Sequence, residues 1–403
     1  MSSFFRGMLP ALCVWLAAAP AMGQAQAGGQ TADASRQAAM AFEQQGNFPE
    51  AETAWHTVLK AHPTSAEAYA HLGLLEARQQ HYKEAVPLYR KALALNPSIP
   101  GLGLNLGLAL FKAGELKAAV AEFQPLLAKA PASSPDAQRL TILLGMAHYG
   151  LQDYVPASHY LKDAAARDPE NLQLRLALAH SCLWSKQYQC VLDAYHEMLT
   201  LNAESVEADM LAGEAEDAMK NYDGAIAQFR AAVKANPSEP EVHFGLGYIL
   251  WTQRQYADAA PEFQAELANN PGHAQALAYL GDSDMQLNHP ELAPPLLQKA
   301  IGFAPGLELP HLDLGILAAD AGRNEEALRE LTQAVKLAPD DVNAHWHLGR
   351  LYRSMGKRDL AKVEFDKASS LHKATNDALL ERMNGSHAQP APAQAPAPAA
   401  PQP

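Results

Sequence analysis

The chain has 403 residues, 48% of them hydrophobic and 19% charged, with a formal net charge of −13. That length exceeds one compact core and leaves either several domains or an architecture that grows by repetition. An acidic balance without a dense Lys/Arg run argues against a nucleic-acid partner, and abundant Ala and Leu with few aromatic residues favour an all-α chain over a sheet.

The first residues differ from the rest. Arg6 sits in a short polar leader, an apolar run follows from Met8 to Ala19, and small residues continue through Ala25, Gln26 and Ala27. This is the layout of a cleaved signal peptide over residues 1–27, with 28–31 as a linker. The run is short for a bilayer span, which needs about 20 residues. A periplasmic or secreted protein is therefore expected, with no integral membrane span in the mature chain. Cys13 would leave with the leader, and Pro10-Ala11-Leu12 ahead of it is a poor lipidation match.

Beyond the leader the sequence is periodic. Pro63, Pro97 and Pro131 stand 34 residues apart; after a four-residue offset Pro169, Pro237, Pro271, Pro305 and Pro339 continue at multiples of 34, and Ala203 holds the one place without its proline. In phase with them run Gly73, Gly107, Gly145, Gly213, Gly247, Gly281, Gly315 and Gly349, and also Ala51, Ala85, Ala119, Ala157, Ala225, Ala259, Ala293, Ala327 and Ala361. Small residues let two helices approach closely, and Trp55, Tyr89, Phe123, Phe229, Phe263 and Phe365 fill the remaining gap. Proline ends the second helix because the residue before it avoids the α region, and Asn96, Asn236 and Asn270 suit the turn. Each block is thus predicted to be a helical hairpin.

The pattern resembles the tetratricopeptide repeat family, with its Leu-Gly pair in the first helix, Ala and an aromatic in the second, and a closing Pro; Leu72-Gly73, Ala85, Tyr89, Ala92 and Pro97 match one block fully. The resemblance, of an exported bacterial type, implies an α-solenoid, a right-handed superhelix of antiparallel helix pairs. It covers ten blocks, 32–65, 66–99, 100–133, 138–171, 172–205, 206–239, 240–273, 274–307, 308–341 and 342–375.

Three departures stand out. The insertion from Ser134 to Ala137, near Pro131 and Pro135, is expected to lengthen a loop; Pro87, Pro261 and Pro295 are expected to delay or kink their second helices. In the fifth block Ala179, Val191 and Ala203 replace the usual Gly, Ala and Pro, so that hairpin packs least typically. Its Cys182 and Cys190 flank the turn and either pair, as export permits, or remain two buried thiols. After the repeats, 376–388 reads as a capping helix and linker, and 389–403, made of Pro, Ala and Gln, as a disordered tail.

Chemistry has little to rest on. Gly101-Leu102-Gly103 with Gly107 has the wrong spacing for a dinucleotide loop, and no strand precedes it. His345 and His347, two apart on a helix, point to different sides and make a poor metal site. No metalloprotease, nucleophile-elbow or P-loop motif occurs, so no enzyme, cofactor or metal is expected.

A separate first-helix stripe remains: Arg139, Ile142, Met146 and Tyr149; Leu176, His180, Leu183 and Trp184; Met210 and Glu214; Phe244, Tyr248 and Trp251. The resemblance places this side on a concave groove that binds extended peptides; the alternative is that the rings only pack on adjacent first helices. Ala70 and Leu74 stand where some family members carry carboxylate-clamping Lys and Asn, so chaperone-tail binding is not expected. A non-catalytic adaptor for a protein or peptide follows, the alternative being an accessory subunit of an envelope secretion, polymer-export or pilus-assembly complex, in peripheral contact with it.

Overall fold

The computed structural model describes residues 27–201 and 205–385. Residues 1–26 of the expected leader, Ala203 and the 389–403 tail lie outside them. Among the described residues there are twenty α-helices and no strand.

The chain divides into two compact units. The first, up to Met219, pairs α1 (Ala27–Gln45) with α2 (Phe48–Ala61), α3 (Ala66–Arg78) with α4 (Tyr82–Leu95), α5 (Leu102–Lys112) with α6 (Leu116–Lys129), α7 (Pro135–Gly150) with α8 (Tyr154–Arg167), and α9 (Leu172–Trp184) with α10 (Tyr188–Leu201), and adds α11 (Val206–Ala218). The second unit, from Lys220, starts with α12 (Tyr222–Ala235). It then pairs α13 (Val242–Thr252) with α14 (Tyr256–Asn269), α15 (Ala274–Gln286) with α16 (Ala293–Phe303), α17 (Glu308–Asp320) with α18 (Asn324–Leu337), and α19 (Val342–Ser354) with α20 (Arg358–Gly385). The sixth block contributes its two helices to different units, a division the even sequence period does not announce.

Most hairpins are held by a near-collision that the absence of a side chain permits, whereas the first and fifth carry fully buried Ala39 and Ala179 at that place. A Cβ built on Gly73 would lie 2.8 Å from the Tyr89 ring, on Gly247 2.8 Å from Phe263 and on Gly349 2.9 Å from Phe365. Leu161, Leu297 and Leu331 take the same place against Gly145, Gly281 and Gly315, at 2.9, 2.7 and 2.6 Å. In each of these pairs the partner lies sixteen residues after the glycine, which fixes where the two helices cross; Gly245 instead makes the same kind of contact between neighbouring hairpins, its Cβ position against the Phe229 ring. The alanine series sits at the same interface, fully buried or nearly so from Ala51 to Ala361.

The turns obey the period as well. Inside every hairpin one residue adopts positive φ: Gly46, Gly114, Gly322 and Gly356 do so freely, whereas Gln80, Gln152, Lys186, Lys220, Arg254 and Asn288 carry a side chain in the left-handed region. Between hairpins the proline follows the last helical turn by two residues; Asn96, Asn236 and Asn270 reach over it, their Oδ1 accepting from the backbone N–H of Ser98, Ser238 and Gly272 at 3.0, 3.1 and 3.3 Å. Several first helices open on a side-chain cap, as Ser65 accepts from Ala68 N at 3.2 Å and Asp341 from Ala344 N at 2.6 Å.

Some expectations need correction. The inserted residues lengthen α7 rather than a loop: Ser134 caps it, accepting from Ala137 N at 3.1 Å, and Pro135 occupies the first turn, where its missing N–H is harmless. Helix α16 does start late, with Pro294 and Pro295 in its first turn, but α4 and α14 start in register and carry Pro87 and Pro261 inside. Residues 28–31 belong to α1, and 376–385 continue α20 without a break, so neither segment is the separate linker or capping helix expected there. Cys182 and Cys190 form a disulfide across the turn between α9 and α10, with Cα atoms 5.9 Å apart.

Since the Gly247 Cβ position already meets Phe263 at 2.8 Å and Glu262 Cβ at 3.3 Å, Gly247→Leu should destabilise by about 1–3 kcal/mol. Thermal unfolding of the variant measures this; an unchanged midpoint would contradict the crossing.

Candidate functional site

In the first unit the stripe residues come together around three aromatic rings. Tyr149, in the last turn of α7, meets Tyr154 edge-on at 6.1 Å, and Tyr154 stacks on Trp184 at 6.1 Å. Trp184 is 62% exposed, an unusual position for the largest apolar side chain. Tyr149 also meets the His180 ring edge-on at 6.4 Å, and His180 Nε2 lies 2.9 Å from Glu207 Oε1 on the next first helix. Burial raises the Tyr149 hydroxyl, with Tyr154 and Glu207 adding to the effect. Glu214 is surface-exposed as a residue, yet protein packed about its carboxyl raises it, against the pull of His180.

Not every predicted contact reaches the surface. Met146 and Leu176 are 5% and 4% exposed and belong to the core. Arg139, Ile142, Tyr149, His180, Leu183 and Met210 are half-buried.

In the second unit Phe244, Tyr248 and Trp251 run along α13 and are half-buried. Phe244 and Tyr248 stack at 6.1 Å, and Tyr248 and Trp251 at 6.3 Å. All three lie against Tyr279 of α15, at 6.0, 5.4 and 4.8 Å, so they pack on the adjacent first helix while keeping part of their surface in solvent. Trp251 Nε1 donates to Asp282 Oδ2 at 2.6 Å, and Gln286 Nε2 donates to Asp282 Oδ1 at 3.2 Å. Helix α17 packs against α15. Its Glu308 Oε1 and Asp313 Oδ2 are both buried without a hydrogen-bond partner, and Asp313 is only 3% exposed. Burial raises all three carboxyls: Asp282, despite bonds that favour its charged form; Glu308, to about 7, with Asp341 adding; and Asp313 well above the usual range, with Asp282 and Glu308 adding. Burial also pushes the Tyr279 hydroxyl up to about 12, helped by Tyr248, Asp282 and Glu308.

Of this group the sequence reading found three rings and missed the rest. Asp282 follows Gly281 as Tyr248 follows Gly247, so extending the stripe by one block would have found it. Tyr279 and Asp313 each stand two residues before their glycine, off the stripe, and only the packed neighbours reveal them. Also unread was a His–Glu contact series joining first to second helices: His243, His311 and His345 place Nδ1 at 2.6, 2.7 and 2.6 Å from Glu262, Glu330 and Glu364, nineteen residues on in each case.

Glu241, Glu266 and His273 offer ligand atoms within 4.8 Å of one another, the spacing of a metal site. Their hydrogen bonds already use them. His273 Nδ1 accepts from Ala276 N at 3.0 Å, which puts the ring proton on Nε2, 2.9 Å from the Glu241 carboxylate that accepts it. Glu266 accepts from the N–H groups of Glu241 and Phe244 at 3.4 and 3.3 Å and so caps α13. A protonated imidazole nitrogen is no metal ligand, so the cluster serves as a helix cap. His345 is likewise occupied, by Glu364 and by the Pro339 carbonyl at 3.0 Å.

Repeated hairpins with an unshared aromatic face define a helical-repeat scaffold. Tetratricopeptide repeat profiles match residues 36–100, 76–142, 192–240, 210–272, 244–308 and 342–374, and a TPR repeat profile matches 318–356. The chain belongs to the tetratricopeptide repeat family, a family of protein-interaction scaffolds. It is similar to anaphase-promoting complex subunit 3 of Schizosaccharomyces pombe, 22% identical over 75% of this chain and 45% of that protein. It is also similar to the cell division cycle protein 27 homolog of Caenorhabditis elegans, 24% identical over 76% of this chain and 39% of that protein. The chain thus spans less than half the length of either relative. Among solved structures, the APC/C hetero-tetramer Cut9-Hcn1 matches with a TM-score of 0.43 and 13% identity, over 84% of this chain and 87% of that one. YrrB, a TPR protein with an unusual peptide-binding site, matches with a TM-score of 0.37 and 21% identity, over 47% of this chain and 98% of that one. Among the described residues no helix is long and apolar enough to cross a membrane.

The acidic group yields a pH prediction. A carboxyl raised in the folded state binds more protons there than in the unfolded chain, so its contribution to stability is present at low pH and is lost as pH rises through the folded value, about 7 for Glu308. Glu308→Gln removes that member and should raise the thermal midpoint by roughly 2–4 °C at about pH 8, and by less at about pH 5. Melting at both pH values checks this; an equal shift or a lower midpoint would contradict it.

Proposed function

We propose that this protein is an exported, non-catalytic adaptor that holds an extended segment of a partner protein against the solvent-facing side of its first helices. The observation that carries the reading is aromatic surface that the hairpins do not consume: Trp184 in the first unit, and the half-buried Tyr248 and Trp251 in the second. Aromatic anchors beside charged groups are the usual sources of binding energy, and burying them offsets the ordering entropy of a flexible partner. Export rests on the leader-like residues 1–27, and the Cys182–Cys190 disulfide suits an oxidising compartment.

The test is capture from an envelope extract, comparing the wild type with Trp184→Ala and with Tyr248→Ala, Trp251→Ala, each confirmed to be folded. Partners retained by the wild type and lost by at least about tenfold from a variant are expected. Identical captures would overturn the binding reading. Recovery of the chain from the cytosol with residues 1–27 intact would overturn export.

A further inference from the structure

The second unit's face has a chemical preference that aromatic surface alone does not specify. Its rings are backed by three acidic side chains, Asp282 at 6% and Asp313 at 3% exposure and the half-buried Glu308. Carboxylate oxygens only accept hydrogen bonds when ionised, and two of these, Glu308 Oε1 and Asp313 Oδ2, are buried with nothing donating to them. Leaving such atoms unmatched costs a fold stability, and the remedy is a donor carrying positive charge. Asp282 and Glu308 add their negative charge to the burial that already disfavours an ionised Asp313. Aromatic faces, here Tyr248, Trp251 and Tyr279 within 4.8–6.3 Å of one another, also attract cations.

We propose that this face of the second unit takes a basic side chain, Lys or Arg, from the partner segment, its stem along Tyr248, Trp251 and Tyr279 and its charge among Asp282, Glu308 and Asp313. This rests on the reading of the same face as a binding surface and specifies what it selects. The burial of the acids behind the rings demands a ligand with a long apolar stem and its charge at the tip, which is the shape of these two side chains. A calcium ion fits less well: it takes six to eight oxygens, and much of this lining is aromatic carbon.

The test uses immobilised full-length protein and short acetylated, amidated peptide pools with randomised flanks and one fixed central residue: Arg, Lys, citrulline, norleucine or Glu. Arg and Lys pools should be retained at least about tenfold over citrulline and norleucine pools, with the Glu pool weakest. Asp313→Asn and Asp282→Asn should bring the Arg, Lys and neutral pools towards parity, while Asp258→Asn, at an exposed site on α14, should leave the preference intact and so exclude general attraction to an acidic chain. Asp313→Asn replaces a buried acid, one of whose oxygens has no donor, with a neutral side chain of the same size and should fold at least as stably as the wild type. Pools retained alike, with retention lost in Tyr248→Ala, Trp251→Ala, would overturn the cation preference and leave the groove reading standing. No retention of any pool would overturn both. A preference abolished by calcium chloride and restored by chelation would assign the carboxylates to the metal and overturn the proposal.

Discussion

A first-helix glycine facing a ring or leucine sixteen residues later is the constraint on which the remaining geometry depends. It brings two helix axes together at one height, and this in turn sets where the hairpin turn must reverse and where the second helix must stop. The positive-φ residue in each turn and the proline beyond each second helix then follow as consequences of that crossing. Because the contact lies within a hairpin, each block is largely self-defining, and neighbouring blocks within a unit add burial rather than new rules.

Function, on this account, belongs to positions that the crossing does not occupy. A first helix presents one side to its hairpin partner and another to solvent, so a residue can vary on the second side without disturbing the first. Trp184 uses that freedom in the first unit, with Tyr154 of the second helix α8 stacked on it, and Tyr248 and Trp251 use it in the second. The carboxylates of Asp282, Glu308 and Asp313 go further, since they act against stability where they stand. Asp282 at least accepts from Trp251 and Gln286, whereas Glu308 and Asp313 each keep one buried oxygen to which nothing donates.

The hairpins were legible because their determinants are local: Gly73 and Tyr89, or Gly247 and Phe263, are near neighbours in sequence and recur in register. The lengthening of α7 was readable too, as Ser134-Pro135-Asp136 is a helix start, but the two prolines drew attention to a loop. Pro87 and Pro261 show the limit of local rules, for the helices around them persist where tertiary packing holds both ends. The site was only half legible. Stripe geometry pointed to Tyr149, His180, Trp184, Tyr248 and Trp251, but could not separate them from Met146 and Leu176, which the tertiary packing buries. Asp313 was invisible for the same reason: its isolation is a property of three helices together.

The division of labour between crossing and face is tested most directly by amide hydrogen exchange on the first unit, comparing Leu161→Ala with Trp184→Ala. Leu161 is fully buried against Gly145, whereas Trp184 is 62% exposed. The crossing predicts protection lost throughout α7 and α8 in Leu161→Ala, and a wild-type pattern in Trp184→Ala outside the last turn of α9. Equal loss in the two variants would contradict it, and would make Trp184 a part of the fold rather than a surface held in reserve.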